Sequence, residues 1–86
     1  MTSSFGRRFK RLFRRLPAHV QTRALEKLQL WEDNPAHPSL HFKKVSQSQP
    51  IWSIRIGGGY RVVGERDGEE VLWKWIGTHN DYDNLL

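Results

Sequence analysis

Residues 51–82 read IWSIRIGGGYRVVGERDGEEVLWKWIGTHNDY and carry most of the information about the architecture of this chain. The first six residues of this segment are apolar at nearly every second position, which is typical of a strand with one buried face. Gly57, Gly58 and Gly59 interrupt this pattern, because glycine allows backbone angles that other residues avoid. We therefore predict a strand over residues 51–56 and a turn at the glycines.

Two further strands are predicted after this turn. Residues 60–66 form the second, and Asp67-Gly68 is the two-residue signal of a tight hairpin. The third strand covers residues 71–76 and leads into a polar segment that begins at Gly77. The hairpin turns make these strands antiparallel neighbours.

The N-terminal half predicts two helices and one more strand. From Ser4 onward, apolar residues recur at helical spacing, and Ser3 or Ser4 is available to cap the helix. Pro17 suits the start of a second helix that Asn34-Pro35 ends. Residues 40–45 read as a short strand. The predicted fold is therefore α+β: two N-terminal antiparallel helices packed on one face of a four-stranded, mainly antiparallel sheet, with a short C-terminal helix.

Size and composition limit the possibilities further. A chain of 86 residues buries one modest core, so we expect a single domain over residues 1–86. There is no cysteine, which excludes disulfides and thiolate metal sites. The longest apolar runs are too short to cross a bilayer, and no secretory pattern is present. We expect a cytoplasmic protein without a membrane partner.

Positive charge is concentrated at the N-terminus. The formal net charge is +5, and six of the fourteen basic residues lie in the first fifteen positions without an acid among them. These six are Arg7, Arg8, Lys10, Arg11, Arg14 and Arg15. Such a distribution favours a polyanionic or acidic partner. The alternative is a solvated helix face above a stripe that packs on the core.

The strand alternation also predicts a cationic sheet face. If Trp52, Ile54 and Ile56 face the helices, then Ser53 and Arg55 face the other way. Further basic side chains are predicted on or beside this second face, namely Arg61, Lys74, Lys43 and Lys44. Such a surface suits RNA phosphates, although the same residues could simply keep an exposed sheet face soluble.

An apolar patch is predicted beside these cations. If Val71 and the neighbouring tryptophans are core residues, Lys74 shares the open face with Leu72 and Ile76. An exposed apolar patch suggests that another chain covers it. The predicted partner-binding residues are therefore Leu72 and Ile76, together with Arg7, Arg11 and Arg14 of the first helix.

His79, Asp81 and Tyr82 follow the third strand in a polar segment. A histidine transfers protons near neutral pH, a carboxylate orients it, and a tyrosine stacks on a base or donates a proton. With arginines to stabilise phosphate charge, these groups suit RNA cleavage by a 2′-hydroxyl. The alternative is that Asp81 caps a short helix that Tyr82 packs against the domain.

No metal or cofactor site is predicted. His37 and His41 are four residues apart, but Pro38 prevents a helix between them. The three glycines precede a strand rather than a helix, which is the wrong context for a phosphate-binding loop.

Several segments resemble the RelE/ParE superfamily of bacterial type II toxins. Residues 9–17 (FKRLFRRLP) with residues 20–28 are similar to its two-helix opening, and residues 52–63 (WSIRIGGGYRVV) to its central strands. Residues 77–81 (GTHND) resemble the end of the YafQ-like branch. Two features differ: Ser53 stands where RelE has a lysine, and the strand that usually precedes the first helix is absent or limited to the first three residues.

The resemblance implies a function and a set of residue roles. RelE-like members cut mRNA in the ribosomal decoding site and are silenced by a cognate antitoxin, so the implied partners are mRNA, the ribosome and an antitoxin. Arg55 would contact the phosphate, Arg61 would stabilise the transition state, and His79, assisted by Asp81, would move the proton. Tyr82 would be a stacking or catalytic tyrosine.

Two other readings remain open from the sequence. One is a ParE-like toxin that binds a protein target such as gyrase through its basic first helix, without catalysis. The other is an inactive relative that only binds nucleic acid.

Overall fold

A computed structural model describes residues 1–85 of the chain. Within these residues, a five-stranded sheet has the order β1-β5-β4-β3-β2, and no helix is long and apolar enough to cross a membrane. The elements are β1 (Thr2–Phe5), α1 (Arg7–Arg14), α2 (Ala18–Asp33), β2 (Lys43–Lys44), β3 (Ile51–Gly57), β4 (Tyr60–Asp67), β5 (Glu70–Thr78) and α3 (His79–Leu85). The α+β class is confirmed.

The number of strands differs from the prediction, since β1 makes five instead of four. It pairs in parallel with β5, from Thr2 opposite Glu70 to Phe5 opposite Trp73. Consequently α1 begins after Gly6, which takes the N-cap position. The predicted cap at Ser3 or Ser4 is wrong. Four residues are too few to show an alternating pattern, and the partner strand lies at the other end of the sequence.

The central hairpins agree with the prediction. β3, β4 and β5 are consecutive antiparallel neighbours. Gly57, Gly58 and Gly59 all have positive φ, at 94°, 61° and 84°, and Gly68 of the second turn has φ 62°. These angles are left-handed, which explains why glycine occupies both turns.

The first predicted strand, residues 40–45, shrinks to two residues in the structure. Pro38–Leu40 forms a 3₁₀ turn, and His41 then takes a left-handed backbone conformation with φ 45°. This bend delays the strand to Lys43–Lys44. Leu40 is nevertheless buried in the core.

The two N-terminal helices are held together by a polar side chain at their turn. The Gln21 amide donates hydrogen bonds to the carbonyl oxygens of Phe13, at 2.9 Å, and Leu16, at 3.1 Å. These carbonyl groups lie at or beyond the end of α1, where no following helical turn supplies an N–H donor for them. One side chain thus satisfies the end of α1 and sets the approach of α2.

The main core lies between these helices and one face of the sheet. Trp31 of α2 and Trp73 of β5 are its largest fully buried side chains, with ring centroids 5.1 Å apart in an edge-on arrangement. The other buried members are Phe9, Ala24, Leu28, Leu40, Ile54, Ile56, Val62, Val71 and Ile76. Most of the apolar side chains that the patterns place inside meet here.

A β-bulge in β5 changes which of its side chains share a face. Val63 pairs with Trp75 and Gly64 pairs with Trp73, so Lys74 is an extra residue in the strand. The bulge shifts the alternation by one position. Trp73 and Ile76 therefore face the main core, whereas Trp75 faces the opposite side. The prediction that Ile76 lies on the open face is wrong, because Ile76 is buried in the main core.

The opposite face carries a second, smaller apolar cluster. It consists of Val63, Trp75 and Tyr82, and α3 supplies the tyrosine. The rings of Trp75 and Tyr82 lie 6.5 Å apart between centroids. This cluster anchors α3 to the sheet and so places the polar segment beside the cationic strands.

Candidate functional site

The guanidinium of Arg61 is the centre of the polar face. Only 8% of the residue is exposed. Its Nε donates to Nδ1 of His79 at 3.2 Å, and its Nη1 donates to Oγ of Ser53 at 3.3 Å. Its Cζ lies 4.9 Å from the ring centroid of Tyr82. None of these neighbours is a carboxylate, and the ion pairs found among residues 1–85 do not include Arg61.

Strand alternation places these groups together. Ser53 of β3 and Arg61 of β4 both point away from the main core, since Ile54 and Val62, which follow them in sequence, belong to that core. Ser53 was predicted on this face, but it is fully buried rather than open. It forms the floor of the site, and Arg61 covers it.

Arg55 lies directly opposite Arg61 in the β3–β4 ladder. It is exposed, and it takes part in none of the ion pairs between described residues. Like charges directly opposite each other on neighbouring strands are destabilising. The two arginines therefore concentrate positive charge at this point of the sheet, and neither forms an ion pair among residues 1–85.

His79 is the first residue of α3 and is tied to the glycine turn. Its backbone N–H donates to the carbonyl oxygen of Gly59 at 2.6 Å. Oγ of Thr78 accepts a hydrogen bond from the Asp81 backbone N–H at 3.2 Å, which caps the helix. Thr78 and not Asp81 is therefore the residue whose side chain caps α3.

Asp83 is the carboxylate that faces His79. Its Oδ2 lies 3.5 Å from Nε2 of His79, one helical turn away. Asp81, which was predicted to assist the histidine, makes no such contact among the described residues. The i,i+4 spacing of His79 and Asp83 on a helix was a signal for this pair, because residues four apart share a helix face.

The contacts of His79 also assign its ring nitrogens. Nδ1 accepts the hydrogen bond from Arg61, so in the neutral ring the proton is on Nε2, beside Asp83. Arg61 and Asp83 thus hold the ring from opposite ends.

These residues surround an open pocket of about 320 Å³. Its lining residues are Arg55, Gly59, Tyr60, Arg61 and His79. The structure therefore brings together three of the five predicted catalytic residues at the pocket wall. Tyr82 is behind the wall, since it is only 7% exposed and stacks under Arg61. Gly59 and Tyr60 also line the pocket and were not predicted as site residues.

The predicted RNA-binding lysines separate in the structure. Lys43 pairs with Ser53 in the β2–β3 ladder and so shares the face of the pocket, whereas Lys44 pairs with Trp52 on the other face. Lys74 lies away from the pocket and forms an ion pair with Glu65, 2.7 Å between Nζ and Oε2. Of the three predicted lysines, Lys43 is therefore the one whose pairing in the β2–β3 ladder places it on the face of the pocket.

A separate apolar groove lies between the start of α1, β5 and the end of α3. Its volume is about 360 Å³, and Arg7, Arg8, Val63, Leu72, Lys74, Trp75 and Leu85 are among its lining residues. Of the predicted partner-binding residues, Arg7 and Leu72 meet here. Arg11 and Arg14 lie further along α1. The groove has an apolar floor and a cationic rim.

Comparison with known proteins agrees with the architecture. The sequence profile of the ParE-like toxin domain matches residues 18–84. No curated protein matches the sequence. The RelB–RelE antitoxin–toxin complex from Methanococcus jannaschii is similar in structure, with TM-score 0.74, 17% identity, and coverage of 95% of this chain and 96% of the other.

Two bacterial toxin–antitoxin complexes are similar to this chain in structure to a comparable degree. For the RelBE2 toxin–antitoxin complex from Mycobacterium tuberculosis, the TM-score is 0.73 at 20% identity, with 90% of this chain and 95% of the other covered. For the E. coli RelBE complex, the TM-score is 0.69 at 20% identity, with 90% and 94% covered. At such identities the likeness establishes a shared fold. Because the ParE-like profile spans most of the sequence, the chain belongs to the ParE-like toxin family of the RelE/ParE superfamily.

Proposed function

We propose that this protein is the toxin of a type II toxin–antitoxin system and that it cleaves mRNA on the ribosome. The observation that carries the proposal is Arg61: a buried guanidinium without a carboxylate partner among residues 1–85, directly opposite a second arginine. A charge taken out of water is costly unless an opposite charge compensates it. The pocket at Arg61 therefore suits an anion.

A phosphodiester is a suitable anion for this pocket, because two guanidinium groups meet at its wall. Guanidinium groups bind phosphate through two parallel hydrogen bonds, and Arg55 and Arg61 offer two such groups at one wall. Arg61 is held by Ser53, His79 and Tyr82. These contacts fix the guanidinium, so its remaining N–H groups are positioned before the substrate arrives, which is what transition-state stabilisation requires.

The residues at the pocket support attack by the 2′-hydroxyl of RNA. In this reaction a bond forms between the 2′-oxygen and phosphorus, and the bond to the 5′-oxygen breaks, leaving a 2′,3′-cyclic phosphate and a 5′-hydroxyl. Arg55 and Arg61 stabilise the charge on the phosphate oxygens. The 2′-hydroxyl gives up its proton and the departing 5′-oxygen takes one. His79 is the titratable group at the pocket that exchanges these protons, and Asp83 holds its ring. Tyr82 supports Arg61 from below.

The test is primer extension on a reporter mRNA after induction of the protein in cells. We expect cuts within translated codons for the wild type and none for His79→Ala. His19→Ala is the matched control, because His19 is an exposed histidine on α2, and it should cut as the wild type does. Cutting that survives in His79→Ala would refute the role of this histidine.

The second candidate function is inhibition of a protein target without catalysis. The match to the ParE-like toxin profile and the exposed arginines of α1 favour it. In that case growth arrest would occur while the reporter mRNA stays intact, and His79→Ala would remain toxic. The same primer-extension experiment therefore separates the two functions.

A cognate antitoxin is the proposed protein partner, because the similar structures from Methanococcus jannaschii and Mycobacterium tuberculosis are toxin–antitoxin complexes. The groove beside α1 suits an amphipathic acidic segment. Its apolar floor includes Leu72, of which 36% is exposed, and its rim carries Arg7 and Lys74. Such a segment would satisfy both the floor and the rim.

Replacing Leu72 by aspartate tests this surface. We expect Leu72→Asp to weaken binding of the antitoxin encoded beside the gene by about tenfold or more, since an apolar contact is lost and a like charge is introduced. Leu25→Asp is the control, because Leu25 is 56% exposed on α2 and lies outside the groove. Binding would be measured by isothermal titration calorimetry, and equal losses in both variants would exclude the groove.

A further inference from the structure

The glycine turn between β3 and β4 accommodates a side chain from another element. Arg23 of α2 lies against it: a methyl group added at Gly58 would overlap Nη1 of Arg23, and one added at Gly57 would come 3.7 Å from its Cδ. Positive φ explains glycine at these positions in part. The close approach of Arg23 gives a second reason for glycine at Gly58.

Arg23 has no structural partner for its charge among residues 1–85. It is exposed, and its guanidinium takes part in none of the ion pairs or side-chain hydrogen bonds of these residues. Glu26 follows at the i+3 position, where helical ion pairs form readily, yet Arg23 extends toward the turn instead. Its neighbour Ala24 supplies the core contact of this part of α2.

The turn leads directly from Arg23 to the pocket. Gly59 and Tyr60, which follow Gly58, line the pocket with Arg55 and Arg61. The carbonyl oxygen of Gly59 also accepts the backbone N–H of His79. Glycine presents no side chain here, so a nucleic-acid strand leaving the pocket over the turn would next meet the guanidinium of Arg23.

We propose that Arg23 binds a second phosphate of the RNA strand, adjacent to the phosphate held by Arg55 and Arg61. This inference rests on the proposed function, since it takes the ligand of the pocket to be RNA. It adds a contact from α2 to a site otherwise built from the sheet and α3. Arg23 is a binding residue and takes no part in proton transfer.

The rival explanation is that Arg23 merely packs on the turn and stabilises it. The two explanations differ in the salt dependence of RNA binding. For single-stranded nucleic acid, the slope of log K against log salt changes by about 0.7 for each phosphate neutralised. A packing role would change stability without changing that slope.

The experiment measures binding of a short single-stranded 2′-O-methyl RNA by fluorescence anisotropy over a range of salt concentrations. This probe has no free 2′-hydroxyl and is not cleaved by the proposed chemistry. The variants are Arg23→Gln, which removes the charge, and Arg23→Lys, which keeps it. Arg66→Gln is the control, because Arg66 lies five positions along β4 from Arg61, about 17 Å away at the rise of a strand.

We expect Arg23→Gln to reduce the magnitude of the slope by about 0.7, while Arg23→Lys and Arg66→Gln keep the wild-type slope. Equal slopes for Arg23→Gln and the wild type would overturn the inference, and so would an equal reduction in Arg66→Gln. A thermal unfolding curve is recorded for each variant to check that the protein is folded under the binding conditions. Arg23→Ala provides a second charge-free variant and should repeat the result of Arg23→Gln.

Failure of this inference and failure of the proposed function give different results. If the wild type cuts mRNA in cells but Arg23→Gln has an unchanged slope, the inference is wrong and the function stands. If Arg23→Gln lowers the slope but the reporter mRNA is never cut, the second phosphate contact stands and the nuclease function is wrong. Absence of measurable RNA binding by the wild type at low salt would overturn the contact itself.

Discussion

The two faces of the sheet differ in how completely their groups find partners. On the helix-covered face, Ile54, Val62 and Trp73 are fully buried among apolar neighbours. On the opposite face, Ser53 and Arg61 are also buried, but Arg61 lines the open pocket and carries a charge without a carboxylate partner in the described chain. The first face contributes stability, and the second retains an electrostatic cost that a bound anion would remove.

The change from one face to the other occurs between adjacent residues of a single strand. Arg61 and Val62 of β4 are neighbours in sequence, yet one lines the pocket and the other belongs to the main core. The rigid hairpin that buries Val62 therefore also fixes the backbone of Arg61. A site built on such a strand is held more firmly than one built on a loop.

The largest expected effect is the removal of a tryptophan from the helix-covered face. Trp73→Ala should lower the free energy of unfolding by about 3–5 kcal/mol, because a fully buried ring leaves a cavity. Trp75→Ala, on the smaller cluster, should cost less. Urea denaturation measures both. Equal losses would show that the two faces contribute equally to stability.

The next effect concerns activity rather than stability. Arg61→Ala should reduce mRNA cleavage by about 10²–10³-fold, the typical loss when one donor to a developing charge is removed. Its free energy of unfolding should change by less than about 1 kcal/mol, because relief of the buried charge offsets the lost contacts. The measurements are a quantitative cleavage assay and urea denaturation.

Arg61→Lys separates charge from geometry at the same position. Lysine keeps the positive charge but lacks the planar fork that donates to Ser53 and His79 together. It should therefore recover only a small part of the cleavage. Full activity in Arg61→Lys would mean that charge alone suffices and that the preorganised guanidinium is unnecessary.

The smallest expected effects come from two glycines that pack against tryptophans. A methyl group at Gly64 would lie 2.7 Å from the carbonyl oxygen of Leu72 and 2.7 Å from Trp73 Cε3. Gly64→Ala should therefore cost about 1–3 kcal/mol of stability through overpacking. The nearest atoms to a methyl group at Gly77 belong to the ring of Trp75, the first at 2.6 Å. Because this neighbour is a side chain and not backbone, Gly77→Ala should cost less stability than Gly64→Ala.

For cleavage activity, the order of the two glycine variants should be the reverse of their order for stability. Trp75 packs on Tyr82, which stacks under Arg61. A displaced Trp75 ring would disturb this support, so Gly77→Ala should lose more cleavage activity than Gly64→Ala once folded fractions are matched. If Gly64→Ala lost more than Gly77→Ala in both stability and cleavage, the idea that one face contributes stability and the other activity would be contradicted.

Local patterns were sufficient for much of the fold and for part of the site. The antiparallel hairpins, the two N-terminal helices and the α+β class could all be predicted from spacing, because turns and amphipathic periods are local properties. The placement of Arg55, Arg61 and His79 at one pocket also agrees with the sequence-based expectation. Their roles in catalysis remain predictions that the experiments above would test.

Two features could not be predicted because they depend on distant residues. β1 exists only through its pairing with β5, at the other end of the chain. The bulge at Lys74 moves Ile76 into the core and Trp75 out of it, and no local signal marked the extra residue. The contact of His79 with Asp83 rather than Asp81 is different, because the i,i+4 spacing signals it once α3 is known to begin at His79.

The sequence by itself determined which residues could supply apolar surface, positive charge and a titratable ring, and in which hairpins most of them lie. Only the tertiary structure decided that Arg61 would be buried without a carboxylate and that Arg23 would reach the glycine turn. The physical reason is that burial and charge compensation are properties of all the elements packed around a side chain. Periodicity along one element cannot report them.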